Sequence, residues 1–248
     1  MLQLVRSEVR KVFPSLMWVA LLGLGLALAI ITIITEFNSA AEAGGGASGI
    51  PSEQGPILAG YWMSVHLAAS IVAALMVTRE QDSGAIERTL LFASSSRQRT
   101  LWSKTLASLV VVAPMALLAG LLSLFTPTIL AAVTDFEPGN ESYPWTTALG
   151  LFGICLLAAP WGVFIGIICR SSIIAALVLV FTTLVVDVFL IGSVPVVGRM
   201  TFTVALSSVY GGETAGNLEF LPGLAVAMIW LVIGGALASL VFSRREFK

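Results

Sequence analysis

This sequence has little charge. Only 11% of its 248 residues are Asp, Glu, Lys or Arg, against about 25% in an ordinary soluble domain. A chain so poor in charge cannot cover a globule with polar surface. It has no basic excess either: the formal net charge is −1, which argues against a surface for nucleic acid. Histidine occurs once, at His66, and cysteine twice. One histidine cannot supply an H-E-x-x-H motif, and no Cys/His cluster has metal-ligand spacing, so no zinc or haem site made by this chain alone is expected. Cys155 and Cys169 lie in or beside apolar runs on one expected helix and read as buried free thiols. No G-x-S-x-G nucleophile elbow is present, and nothing places His66 beside a serine as in an intramembrane protease. Gly44 and Gly49 have the first spacing of a phosphate loop, but Ile50-Pro51 stands where Lys-Ser/Thr is required, which rejects that motif.

What fills the sequence is apolar. Hydrophobic residues make up 57% of it, and the mean hydropathy is +0.97. Six long apolar stretches are visible, at about residues 15–35, 56–77, 106–125, 145–168, 173–191 and 220–242. A helix needs about 20 apolar residues to cross the hydrocarbon core. The expectation is therefore an all-α integral membrane protein, with residues 1–248 forming one six-span domain. The first stretch is too long for the apolar region of a signal peptide, although Ala41-Glu42-Ala43 faintly resembles a cleavage site. Residues 1–13 precede it. Leu2, Val5, Val9 and Val12 recur there at helical spacing, with Arg6, Arg10 and Lys11 elsewhere, as in a short amphipathic helix lying at a membrane interface.

Between the stretches, Glu36–Gly55 reads as flexible and acidic. Leu106–Val133 is longer than one straight span needs. The Thr126-Pro127-Thr128 step is expected to break the helix, leaving the residues after it re-entrant or interfacial. Gly162 and Gly166 form a GxxxG pair, which lets another helix approach closely, either inside the bundle or across a subunit contact. Asp187 is the one acid within a span, about 22 Å along its helix from Ser172. It reads as paired or partly hydrated, with Arg199 a candidate partner, or as part of a translocation path or gate. His66, near the middle of the second stretch, has the same two readings, because ionisable residues in a membrane are rare and often functional. Gly192–Glu219 reads as a long external segment, and Asn140-Glu141-Ser142 as a chance match to a glycosylation acceptor.

Charge sets the expected topology. With six spans and the N terminus inside, twelve of the thirteen Lys/Arg residues fall inside and only Arg199 outside. Both termini are then cytoplasmic. Thr78–Lys104 becomes the main cytoplasmic loop, holding Arg79, Arg88, Arg97, Arg99 and Lys104. Within it, Ala85–Ala93 is helix-compatible: Ile86 and Leu90 lie one turn apart, Leu91 adjoins, and Glu87 and Arg88 occupy other faces. A helix this short is unstable alone and needs a groove or a membrane surface.

The order of these elements carries a resemblance. Ser7-Glu8-Val9-Arg10-Lys11 precedes the first span. Arg79-Glu80-Gln81-Asp82-Ser83-Gly84-Ala85-Ile86-Glu87 follows the second, and Ser96-Arg97 and Lys104 open the third. Nearly the whole chain resembles the membrane subunit of type 2 ATP-binding-cassette exporters, the permease family that includes drug, bacteriocin-immunity and sodium-export subunits. The haem-exporter permease of cytochrome maturation has a similar architecture. The resemblance implies a non-catalytic permease in the plasma membrane of a prokaryote, paired with an identical or homologous permease. Two copies of a cytosolic ATPase would hold ATP and Mg. A coupling segment of Glu80, Gly84, Ile86, Glu87, Arg88, Leu90 and Leu91, with Glu8, Arg10 and Lys11 on the interfacial helix, would seat on those ATPases. The segment between spans five and six would correspond to the family's short external helices. An apolar interior suits a hydrophobic or amphipathic cargo such as a peptide antibiotic, drug or lipid. Two other classes stay open: an ion-coupled secondary transporter or channel using His66 and Asp187, and a scaffold that transports nothing.

Overall fold

A computed structural model of the chain describes residues 2–12, 16–44, 46, 54–86, 96–135, 145–210 and 218–244. Every regular element among them is helical. Six helical segments are long and apolar enough to cross a bilayer: Leu16–Gly44, Ile57–Asp82, Arg97–Val133, Trp145–Cys169, Ser172–Ser193 and Phe220–Arg244. We number them as spans one to six. The chain is a multi-pass membrane protein. A short helix, Leu2–Val12, precedes the first span.

The second span is the axis of the bundle. Its apolar window is 78% buried, whereas those of spans one, five and six are only 17% buried and stand at the periphery. Small side chains explain its place. Ala68, Ala69, Ser70, Ala73 and Ala74 are all buried on this helix and let neighbouring backbones come close. The fourth span uses that space. A Cβ on Gly162 would run into the Ser70 carbonyl oxygen, and one on Gly166 would come within 2.8 Å of the Ala74 carbonyl oxygen. The GxxxG pair therefore lies inside this chain, against the second span. The Ser70 hydroxyl adds a bond to the Ala158 carbonyl, 3.2 Å.

Two helices run past their expected ends. The third is continuous over 37 residues, with Pro114 and Pro127 inside it, about 56 Å by its rise per residue. The expected break at Thr126-Pro127-Thr128 does not occur. The Ser123 hydroxyl bonds to the Gly120 carbonyl at 2.8 Å and the Thr126 hydroxyl to the Leu122 carbonyl at 2.7 Å. The Trp62 indole N–H then donates to Thr126 Oγ1 at 2.7 Å. Local hydroxyls and a packed neighbour thus hold the helix across the proline. It begins at Arg97, as the helix expected over Arg97–Lys104 leads straight into the span, and Ser96 caps it by accepting from the Arg99 amide at 3.3 Å. The first span likewise continues to Gly44, so Glu36–Ala43 is helical rather than flexible. Glu36-Phe37-Asn38-Ser39-Ala40-Ala41-Glu42-Ala43 contains no Gly or Pro to stop it.

Spans four and five are joined by a tight turn in which Arg170 has φ +62° and its amide bonds to the Gly166 carbonyl at 3.2 Å. The fifth span is helix over Ser172–Phe181, a π turn over Thr182–Val186, and helix again over Asp187–Ser193. The segment that follows does not stay on the surface. Helices Pro195–Gly198 and Phe202–Ser207 and a 3-10 turn, Ser208–Tyr210, fold back into the bundle. Ala205 and Leu206 are fully buried. Trp161 of span four stacks on Phe202 with ring centroids 4.7 Å apart, and Trp230 of span six donates to the Met200 carbonyl at 2.7 Å. Burial beside Tyr61 pushes the Tyr210 phenol up to about 12.

Candidate functional site

Charge inside an apolar bundle is the first place to look for function. Three charged side chains meet at the end of the bundle that carries the N-terminal helix. Lys104 lies on the third span, two turns after its start. It is the last charge before Asp135, so its helix offers it no acid on the apolar side. The acids come from elsewhere. Glu8 Oε2, on the N-terminal helix, is 3.0 Å from Lys104 Nζ, and Glu80 Oε2, near the end of the second span, is 2.6 Å away. Lys104 is 3% exposed, Glu8 9% and Glu80 14%, so Glu80 keeps an edge toward the surface. Val5 and Val9 pack on the bundle core and hold the N-terminal helix in place. One ammonium thus ties three separate elements together.

Further polar bonds brace the same end. Thr78 Oγ1 lies 2.9 Å from Ser172 Oγ, and the Ser172 hydroxyl donates to Asp82 Oδ2 at 3.0 Å, linking spans two and five. The Arg97 guanidinium donates to the Phe242 and Ser243 carbonyls, and Gln98 Nε2 to Ser239 Oγ at 2.7 Å, linking spans three and six. In a lipid environment such bonds have few competitors.

The residues expected to couple to a partner divide. Glu80 belongs to the triad. Gly84 has φ +65°; with the Ser83 amide bonded to the Arg79 carbonyl and the Gly84 amide to that of Gln81, it ends the second span as a left-handed cap. Ile86 is buried in the main core. Glu87, Arg88, Leu90 and Leu91 lie outside the described residues. On the N-terminal helix Glu8 is buried and Arg10 exposed; the Lys11 side chain lies outside the described residues.

Asp187 and His66 are not part of this group. His66 is buried, and its Nδ1 faces the Met63 carbonyl one turn back, a local bond within its own helix. Asp187 is buried at the start of the last helical piece of span five and forms no ion pair with Arg199. Cys155 and Cys169 are free thiols. Among the described residues no group of three or more His, Cys, Asp and Glu is placed to hold a metal.

The sequence marks Lys104 as a loop cation that opens the third span, without its partners. A signal for its partners was present: a lysine followed by 29 uncharged helical residues needs acids from other elements. No protein-family model matches the chain, and no curated protein matches it.

Proposed function

We propose that this chain is the permease subunit of an ATP-driven exporter of the type 2 ATP-binding-cassette kind. It would lie in the plasma membrane of a prokaryote with both termini cytoplasmic. The single observation that carries the reading is the triad of Glu8, Glu80 and Lys104. It joins the N-terminal helix, the end of the second span and the start of the third at one buried point, beside the segment that begins at Gly84. A force applied to either element from the cytosol would reach the central helix of the bundle through that point. The N-terminal helix would lie at the interface, and Glu87, Arg88, Leu90 and Leu91 would dock in a groove of an ATPase, while Ile86 is held in this chain's own core.

The chain has no nucleotide motif, so ATP and Mg would be held by two copies of a separate cytosolic ATPase. A second permease, identical or homologous, would complete the path. The cargo would be hydrophobic or amphipathic, and this chain would be non-catalytic. The test is co-purification of the full chain in mild detergent, followed by ATPase assays in liposomes. An ATPase should accompany the wild type, and Glu80→Ala should lower cargo-stimulated hydrolysis at least tenfold with the chain still folded. Transport that persists without any ATPase and follows an ion gradient would overturn the reading in favour of a secondary transporter. One observation favours that second reading: Asp187 Oδ2 is buried with no hydrogen-bond partner.

A further inference from the structure

We propose that span six is a strut that couples the two ends of the bundle, fastened by Arg97 at the triad end and by Trp230 to the fold-back segment. Span six is a continuous helix over Phe220–Arg244. Its apolar window is only 17% buried, so little of the bundle holds it along its length. Its last carbonyls have no partner within the helix, and Arg97 supplies one. The Arg97 guanidinium donates to the Phe242 and Ser243 carbonyls, where a cation also faces the negative end of the helix dipole. Gln98 Nε2 adds a bond to Ser239 Oγ at 2.7 Å, one turn back. Arg97 and Gln98 are the first two residues of span three, so a shift of that start carries the end of span six with it.

The second fastening lies about 20 Å further along the same helix, at Trp230. The Trp230 indole N–H donates to the Met200 carbonyl at 2.7 Å. Its ring meets Trp161 edge-on, with centroids 5.9 Å apart, and Trp161 stacks on Phe202 of the fold-back helix. Nearer the start of span six, a Cβ on Gly223 would come within 2.5 Å of the Ser208 Cβ, so the fold-back segment lies close along this part of the helix. Between the two fastenings, Cβ atoms on Gly234 and Gly235 would sit 2.9 Å from the Trp161 ring and 3.3 Å from the Phe164 ring. The glycines let span six lie close on span four and put no side chain there to lock it against sliding or tilting. A stiff helix gripped at both ends and smooth between them passes displacement from one end to the other. The coupling is reciprocal: release of the fold-back segment loosens the grip of Arg97, and release of Arg97 loosens the fold-back segment. The inference stands on the contacts of span six and does not need an ATPase.

The test uses the full chain purified in detergent and the rate at which N-ethylmaleimide labels a cysteine, which follows local opening. Ser207→Cys, in a background with Cys155→Ser and Cys169→Ser, reports the fold-back segment, where Ser207 is buried. Native Cys155, fully buried in span four and kept in a Cys169→Ser chain, reports general loosening. Arg97→Gln should raise the Ser207→Cys rate about fivefold or more and leave the Cys155 rate within about twofold. Arg97→Lys, which keeps a cationic donor, should stay near the wild type. Trp230→Phe keeps a ring and removes the N–H donor. In that background Arg97→Gln should add less than about twofold, because the strut is already unfastened, whereas independent sites this far apart give effects that multiply. If Arg97→Gln does not fold, Gln98→Ala takes its place with the same pattern expected. An unchanged Ser207→Cys rate, an equal rise at Cys155, or effects of Arg97→Gln and Trp230→Phe that multiply would overturn the proposal. A chain that gives any of these results and still binds an ATPase would fail this inference and leave the exporter reading standing.

Discussion

An ammonium group taken out of water needs negative charge close at hand, and Lys104 has two carboxylates within 3.0 Å. The net contribution of such a group is smaller than its distances suggest, because desolvation offsets most of the Coulomb attraction. Breaking it is another matter. Lys104→Met takes the ammonium away from Glu8 and Glu80. It should destabilise the protein by about 3–5 kcal/mol, the usual cost of removing one partner of a buried pair. The informative comparison is the triple variant Lys104→Met, Glu8→Gln, Glu80→Gln, which removes all three charges together. Its melting temperature in detergent should lie above that of the single variant, because the two carboxylates facing the lost ammonium are neutral. A triple variant less stable than Lys104→Met would show that the charges add net stability, against this account. Coupling to a partner should be lost in both, which separates the structural from the mechanical role of the triad.

At the scale of the helix, close packing rather than polarity decides what is tolerated. Gly162 has the Ser70 backbone where its Cβ would be, whereas Gly153, on the same helix, has open space around it. Gly162→Ala should destabilise by about 1–3 kcal/mol, as overpacked cores do. Gly153→Ala should be neutral or gain up to about 1 kcal/mol from helix propensity. Thermal melts of the two variants check this, and equal effects would mean that spans two and four do not touch at Gly162.

The GxxxG pattern was legible in the sequence because two glycines four apart mark a helix face whatever the helix packs on. Which helix it packs on was not legible, since the complementary surface of Ala and Ser on the second span has no comparable signature. Pro127 misled for a related reason. Its effect on a helix depends on Ser123, Thr126 and Trp62 satisfying the backbone around it, and Trp62 comes from another span. The π turn before Asp187 and the fold-back of Phe202–Ser207 were equally hidden, because apolar periodicity carries no mark of an inserted residue or of which side of a bundle a short helix enters.

For the whole molecule the question is which way it sits in a membrane. The six spans were legible from hydropathy alone, because the bilayer demands about 20 apolar residues per crossing whatever the tertiary contacts. Orientation follows from charge. Arg97 is bonded to the end of the sixth span, and Lys104 to the N-terminal helix and the end of the second. Arg97 and Lys104 thus share one end of the bundle with the N-terminal helix and Arg244. Arg199 lies on the fold-back segment that follows span five. Lys and Arg are retained on the cytoplasmic side during insertion, so the triad end should face the cytosol. In a background with Cys155→Ser and Cys169→Ser, a cysteine at exposed Ser83 and one at Arg199 should respond oppositely to a membrane-impermeant maleimide added to intact cells. Arg199→Cys should label from outside; Ser83→Cys should label only after the membrane is opened. The reverse pattern would put the triad outside, beyond the reach of any cytosolic ATPase, and the proposed coupling would fail with it.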